Sequence, residues 1–244
     1  MDWKVTISLL VVLLLATQPA HAGSDFLSDT QPLTYLGGLD RLAIGDTPEA
    51  RKLFQKTLRR DTNHAGSLTA LWKIIRRQKG FKEANEFLFS YLTKHPSASV
   101  FASLLSQINV TDRKRLTLLS KVGKLGNLGV DLRIQKLSLL FKFERIDLNE
   151  AMNRVERLLE SNPNHPNLLV LKFELLLEKG ELKKCKRTVR KMIRHFPGRP
   201  EGYRGMSIVH IKSGNHKQAQ ITFQRYKALA NDDINWKQFK AKFE

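Results

Sequence analysis

Apolar residues recur along the chain at helical spacing, and a small residue marks the same place in each recurrence. Four residues after Ala50, Ala84, Ala151, Cys185 and Ala219 come Phe54, Leu88, Val155, Val189 and Phe223. Seven after the same five come Thr57, Tyr91, Leu158, Met192 and Tyr226. Steps of four and seven place these positions on one helix face. Twelve after come Thr62, Pro96, Pro163, Pro197 and Asn231, prolines and turn formers that stop a helix. Gly45, Gly80, Gly180 and Gly214 stand four or five residues before the small residue. Glycine there allows a tight turn out of a preceding helix. The pattern predicts helix–turn–helix units, with the small residue where two helices cross closely.

These units repeat. Pro163 and Pro197, Pro166 and Pro200, Gly180 and Gly214, and Ala50 and Ala84 are each 34 residues apart. The period predicts units at about 31–64, 65–98, 99–131, 132–165, 166–199 and 200–231. The unit 99–131 is degenerate, because residues 97–130 lack the small residue and the proline. Gly123, Gly126 and Gly129 predict a loosened loop there. The first unit is also irregular, since Gly37 and Gly38 fall inside its first helix. Residues 232–244 predict a capping helix, with Asp232 and Asp233 at its start. Trp236, Phe239 and Phe243 share the face that would cover the end of a stack.

The stretch from Pro200 to Tyr226 resembles the tetratricopeptide repeat (TPR) family. Tyr203, Met206 and Ser207 open its first helix, and Gly214 and Ala219 supply its turn and crossing residue. Leu169, Phe173, Gly180, Leu182 and Pro197 match in the preceding unit, as do Leu68, Trp72, Ile75, Phe81, Ala84 and Pro96 nearer the start. The resemblance implies an all-α fold, a right-handed α-solenoid of helix–turn–helix repeats over nearly all of residues 23–244. It also implies non-catalytic binding of a protein or peptide in a concave groove lined by the first helix of each repeat. Spacing places Thr69, Lys73, Arg76, Arg133, Lys136, Leu140, Asn167, Val170, Glu174, Arg204 and Ile208 on that groove. The family's carboxylate clamp needs Lys and Asn at set points; Lys73 and Lys136 stand here without the asparagines. Exported members commonly serve assembly of envelope machines: secretion systems, pili, polysaccharide exporters or cytochrome maturation.

The N-terminus adds a compartment. Lys4, the apolar run Val5–Ala16, Pro19 and the small-x-small Ala20-His21-Ala22 predict a secretory signal peptide over residues 1–22. The rival reading, a membrane anchor, needs a run of about 20 apolar residues, longer than this one. Cleavage would leave a soluble, exported chain suited to a periplasm, rather than one anchored in the inner membrane or secreted. The sequon-like Asn109-Val110-Thr111 carries little weight.

Charge changes the picture most. The 244 residues hold 42 Lys+Arg against 23 Asp+Glu, a net charge of +19. The leader carries one acid and one base, so the excess belongs to the mature chain. Such a charge points to acidic partners. It is concentrated between Lys179 and Arg199, with nine bases and the single acid Glu181. Leu182, Cys185, Val189, Met192 and Phe196 mark the buried stripe of this helix. Lys183, Arg187, Arg190 and Arg194 run down the opposite face, with Lys186 and Lys191 beside them. A solvated face is the usual fate of such a run. Without carboxylates at i,i+4, however, nothing local offsets the repulsion. The partner is therefore read as an acidic protein or peptide, with an anionic glycan, membrane surface or other polyanion as the alternative. Nucleic acid is disfavoured, since no row of stacking aromatics accompanies the bases.

Catalytic chemistry has no sequence signature. HExxH, GxSxG and phosphate-loop patterns do not occur in the sequence. No enzyme activity, cofactor, metal or small-molecule substrate is expected. Cys185, the single cysteine, has Lys183, Lys184, Lys186 and Arg187 nearby, which would lower a thiol pKa. Its place in the small-residue slot instead predicts a buried, inert packing residue.

Overall fold

The computed structural model describes residues 31–104, 111–124, 128–231 and 234–243. The expected leader therefore lies outside the described residues. Among those described there are thirteen α-helices and no strand, so the chain is all-α. They are α1 Leu33–Ala43, α2 Thr47–Arg60, α3 Ala65–Lys79, α4 Phe81–Lys94, α5 Ala98–Leu104, α6 Asp112–Val122 and α7 Val130–Lys142. There follow α8 Leu148–Ser161, α9 Pro166–Glu178, α10 Leu182–His195, α11 Pro200–Lys212, α12 His216–Ala230 and α13 Trp236–Ala241. No described helix is long and apolar enough to cross a membrane.

The helices fall into two compact units, divided after Lys136 within α7. In the N-terminal unit α1 packs on α2, α2 on α3 and α3 on α4. The short α5 lies against α3, and α6 against α4. In the C-terminal unit each helix from α8 to α12 packs on the next. This is a repeat of helix–turn–helix units, and its physical origin is local. Ala50, Ala84, Ala151, Cys185 and Ala219 are all fully enclosed. A larger side chain at such a crossing would hold the helix axes apart.

The turns are built alike. Gly45, Gly180 and Gly214 each lie two residues past a helix end with φ between 72° and 84°. In each turn the glycine N–H donates to the carbonyl three residues back, and the next N–H to the carbonyl five back. After α7 the same pair forms without the glycine: Glu144 N–H donates to the Phe141 carbonyl and Arg145 N–H to that of Leu140, with Glu144 at φ 54°. Helix starts are fixed by side chains: Asp46, Asp147 and Asn215 accept from the backbone N–H three residues on.

Two expectations change. Gly38 lies buried within α1, where it packs against the Phe54 ring of α2. It stands twelve residues before Ala50, as Ser207 stands twelve before Ala219. The first unit thus keeps the small-residue rule on both helices. At the other end α13 is capped by Asn235, with a reciprocal bond from Gln238. Asp232 and Asp233 lie outside the described residues. The Phe239 ring packs at a tilt against those of Phe223 and Phe243, with centroids 4.8 and 5.2 Å apart, closing the C-terminal core as a cap requires.

Candidate functional site

The groove candidates separate by unit. On α3 of the N-terminal unit, Thr69 is half-buried and Lys73 and Arg76 are exposed. The Arg76 guanidinium lies over the Trp72 and Phe81 rings at 5.3 and 5.5 Å, a cation–π pair that fixes its position. Trp72 is itself held by a hydrogen bond from Nε1 to Asn85 Oδ1 at 3.2 Å. On α7, Arg133 is exposed and donates from Nε to the Leu128 carbonyl at 2.7 Å. Lys136 and Leu140 are half-buried.

The C-terminal unit departs from the expected open groove. Asn167, Val170, Glu174 and Ile208 retain only 9, 8, 5 and 1% of their surface. Four of the residues expected to face a ligand are thus packing residues. Burial pushes the Glu174 carboxyl up to about 8, and Arg204 on α11 pulls it partly back. Asn167 Oδ1 accepts from Arg199 at 3.2 Å, so its side chain serves the link between α9 and α11. Arg204 is half-buried, with its guanidinium 5.6 Å from the Phe243 ring.

The basic helix is placed as its pattern requires. Cys185, Thr188, Val189 and Met192 are buried, while Lys183, Arg187, Arg190 and Arg194 are exposed in one row. Lys186 and Lys191 are half-buried at its edges. The acid at the helix start, Glu181, is taken by Lys184 at 2.6 Å and by Lys179 at 3.4 Å. Among the described residues, none of Lys183, Lys186, Arg187, Arg190, Lys191 and Arg194 has a carboxylate partner. The field of this face reaches its neighbour. His210 on α11 has its pKa lowered first by burial and then by Lys186 and Arg190.

A cleft of about 430 Å³ adjoins this face, between α8 and α10 over α9. Leu159 and Leu169 are buried in its lining, with Thr188 beside them. Arg187 and Lys191 border it from α10, Glu156 and Glu160 from α8. Lys172 spans it to Glu156 at 2.7 Å, and Lys191 donates to the Pro163 carbonyl at 2.7 Å.

Cys185 is a packing residue. Its side chain is fully enclosed, burial pushes the thiol up to about 11, and Sγ points to the Phe173 carbonyl at 3.9 Å. No group of three His, Cys, Asp or Glu side chains suited to a metal occurs among the described residues.

A second basic helix escapes a reading based on charge density alone. On α2, Arg51, Lys52, Lys56 and Arg59 stand one, two, six and nine residues after Ala50. Lys186, Arg187, Lys191 and Arg194 stand at the same offsets after Cys185. Comparing charges at equal repeat positions, rather than along the chain, reveals the match.

No protein-family model and no curated protein matches the sequence. Solved structures do resemble it. A tetratricopeptide repeat protein from Parabacteroides merdae is 15% identical with a TM-score of 0.46, over 86% of this chain and 96% of that one. MamA from Desulfovibrio magneticus is 15% identical with a TM-score of 0.40, over 83% and 96%. YrrB, described as a TPR protein with an unusual peptide-binding site, is 14% identical with a TM-score of 0.39, over 82% and 86%.

Proposed function

We propose that the chain is a non-catalytic scaffold that binds another protein. Its leader-like residues 1–22 support export to the periplasm, and assembly or maintenance of a cell-envelope machine is the role in keeping with that address. Secretion, pilus assembly, polysaccharide export and cytochrome maturation are the candidate settings. The observation that carries the reading is the exposed row Lys183, Arg187, Arg190 and Arg194, with no carboxylate partner among the described residues. Like charges held in a row on a stable helix repel one another, and an acidic partner surface would offset that repulsion. The open Lys73 and Arg76 on α3 offer a second contact of the groove type.

Photo-crosslinking in intact cells tests this. A crosslinker placed at Lys73 or at Arg190 of the full chain should yield a discrete protein adduct. Absence of an adduct from both positions overturns the scaffold.

The same row favours one other reading, a binder of an anionic glycan, an anionic membrane surface or another polyanion. Its signature is a steep loss of affinity with salt. Acidic polysaccharide and anionic vesicles titrated at several ionic strengths decide it; no binding at low salt excludes it.

A further inference from the structure

We infer that the cleft between α8 and α10 is a docking site for an acidic peptide segment carrying one apolar side chain. This deepens the scaffold reading and rests on it. The cleft lies on the side of the C-terminal unit formed by second helices of its repeats, away from the positions where a groove was expected.

The size is the first ground. About 430 Å³ falls within the ~300–1,000 Å³ of ligand clefts, enough for one side chain with its adjoining backbone. The lining is the second. Leu159 and Leu169, with 9 and 2% of their surface left, close the floor of the cleft, and Pro163 with the methylene stems of Lys172, Arg187 and Lys191 lines it above them. A uniformly charged polymer gains nothing from that floor, whereas an apolar side chain of a peptide is desolvated there.

Charge supplies the third ground, and it is directional. Arg187 on the α10 wall is exposed and has no carboxylate partner among the described residues. Its planar fork suits a bidentate carboxylate. Lys191 is held in place by one bond to the Pro163 carbonyl and keeps two further N–H donors. Lys172, rising from α9, pairs with Glu156 on the opposite wall, which leaves the exposed Glu160. That carboxylate repels a second acidic group and accepts from a backbone N–H or a basic side chain. The site is therefore polar across its width: acid toward α10, apolar group on the floor, donor toward α8. A polyphosphate or sulfated glycan, charged on every unit, meets Glu160 at a penalty. A bilayer surface is too flat to reach the floor.

The test uses fluorescence anisotropy with the full chain and three labelled probes. They are a seven-residue Asp/Glu-rich peptide with a central leucine, the same peptide with a central serine, and linear polyphosphate of equal charge. The leucine peptide should bind at least fivefold more tightly than the serine peptide. Arg187→Glu and Arg187→Ala should weaken the leucine peptide at least tenfold and fivefold. Lys56→Glu on α2, an equal change of charge elsewhere, should weaken it less than twofold. Arg187 is exposed, so both variants should keep the wild-type helical signal. Equal binding of the two peptides, equal loss in the Arg187 and Lys56 variants, or no peptide binding each overturns the cleft. The polyphosphate binding as tightly as the leucine peptide does the same. If the crosslinker at Lys73 or Arg190 still captures a protein, the scaffold survives that failure; if neither does, both readings fall.

Discussion

Gly38 of α1 lies so close to Phe54 of α2 that a β-carbon on the glycine would sit 2.6 Å from the ring. The contact is to the body of a fully buried aromatic, which has no room to swing aside. Gly38→Ala should therefore destabilise the chain despite the better helix propensity of alanine. Overpacking costs about 1–3 kcal/mol against a propensity gain of about 1. A thermal midpoint equal to or above wild type would contradict the close crossing. Gly37→Ala, whose β-carbon meets only Leu53 at 3.6 Å, is the matched control and should not lose stability.

Glu144 carries the opposite expectation. It holds φ 54° in a turn that uses glycine after α1, α9 and α11. The left-handed conformation costs a residue with a β-carbon about 1–2 kcal/mol. Glycine returns about 0.4–1 kcal/mol of this to the unfolded chain. Glu144→Gly should thus gain about 0.5–1 kcal/mol, read as a higher midpoint in urea at unchanged m-value. The mirror change, Gly214→Ala, should lower it.

Cys185 should be unreactive in the folded chain. With the thiol pushed up to about 11 and no exposed surface, a thiol reagent at pH 8 should label it only on unfolding. Cys185→Ala should fold, since alanine fills the same slot at Ala151 and Ala219. Cys185→Leu should cost about 1–3 kcal/mol by forcing α9 and α10 apart. Rapid labelling of the native protein would refute the assignment.

His210 reports on the basic face. Burial and the nearby Lys186 and Arg190 hold its folded pKa below the ordinary 6.5. The unfolded chain therefore binds the proton more readily, and stability rises with pH through this range. The contribution is complete above the unfolded value and is lost as pH falls below it. Arg190→Ala should move the His210 titration upward in an NMR pH series. Occupation of the face by an anion should do the same without any substitution. An unmoved titration in the variant would remove the electrostatic link between α10 and α11.

The repeat was legible because its determinants are local. Helix period, the small crossing residue and the turn glycine all lie within one unit, so their spacing alone specifies a helix hairpin. Gly38 is less legible: inside a helix a glycine reads as an irregularity of the unit, and only its distance of twelve from Ala50 reveals a packing role. The candidate site was less legible. Spacing puts Asn167, Val170 and Glu174 on one face of α9 and Ile208 on the matching face of α11, but burial depends on what packs against those faces, which spacing does not contain. The cleft is not visible in the sequence at all, since the residues of α8 and α10 that form its walls stand more than 25 positions apart. The basic row of α10 was found because seven bases in twelve residues stand out in any composition.

Arg199 gives the C-terminal unit a mechanical element. Its guanidinium clasps Glu201 at 2.7 Å at the start of α11 and reaches back to Asn167, in the first turn of α9. Two successive first helices are thereby braced at their leading ends by a half-buried strut. Further along the same pair, Arg204 of α11 acts on the buried Glu174 of α9, and Gly205 lies against Phe173. The two first helices are thus tied to each other directly at several levels, and the register of the repeat is held by contacts that skip the helix between them.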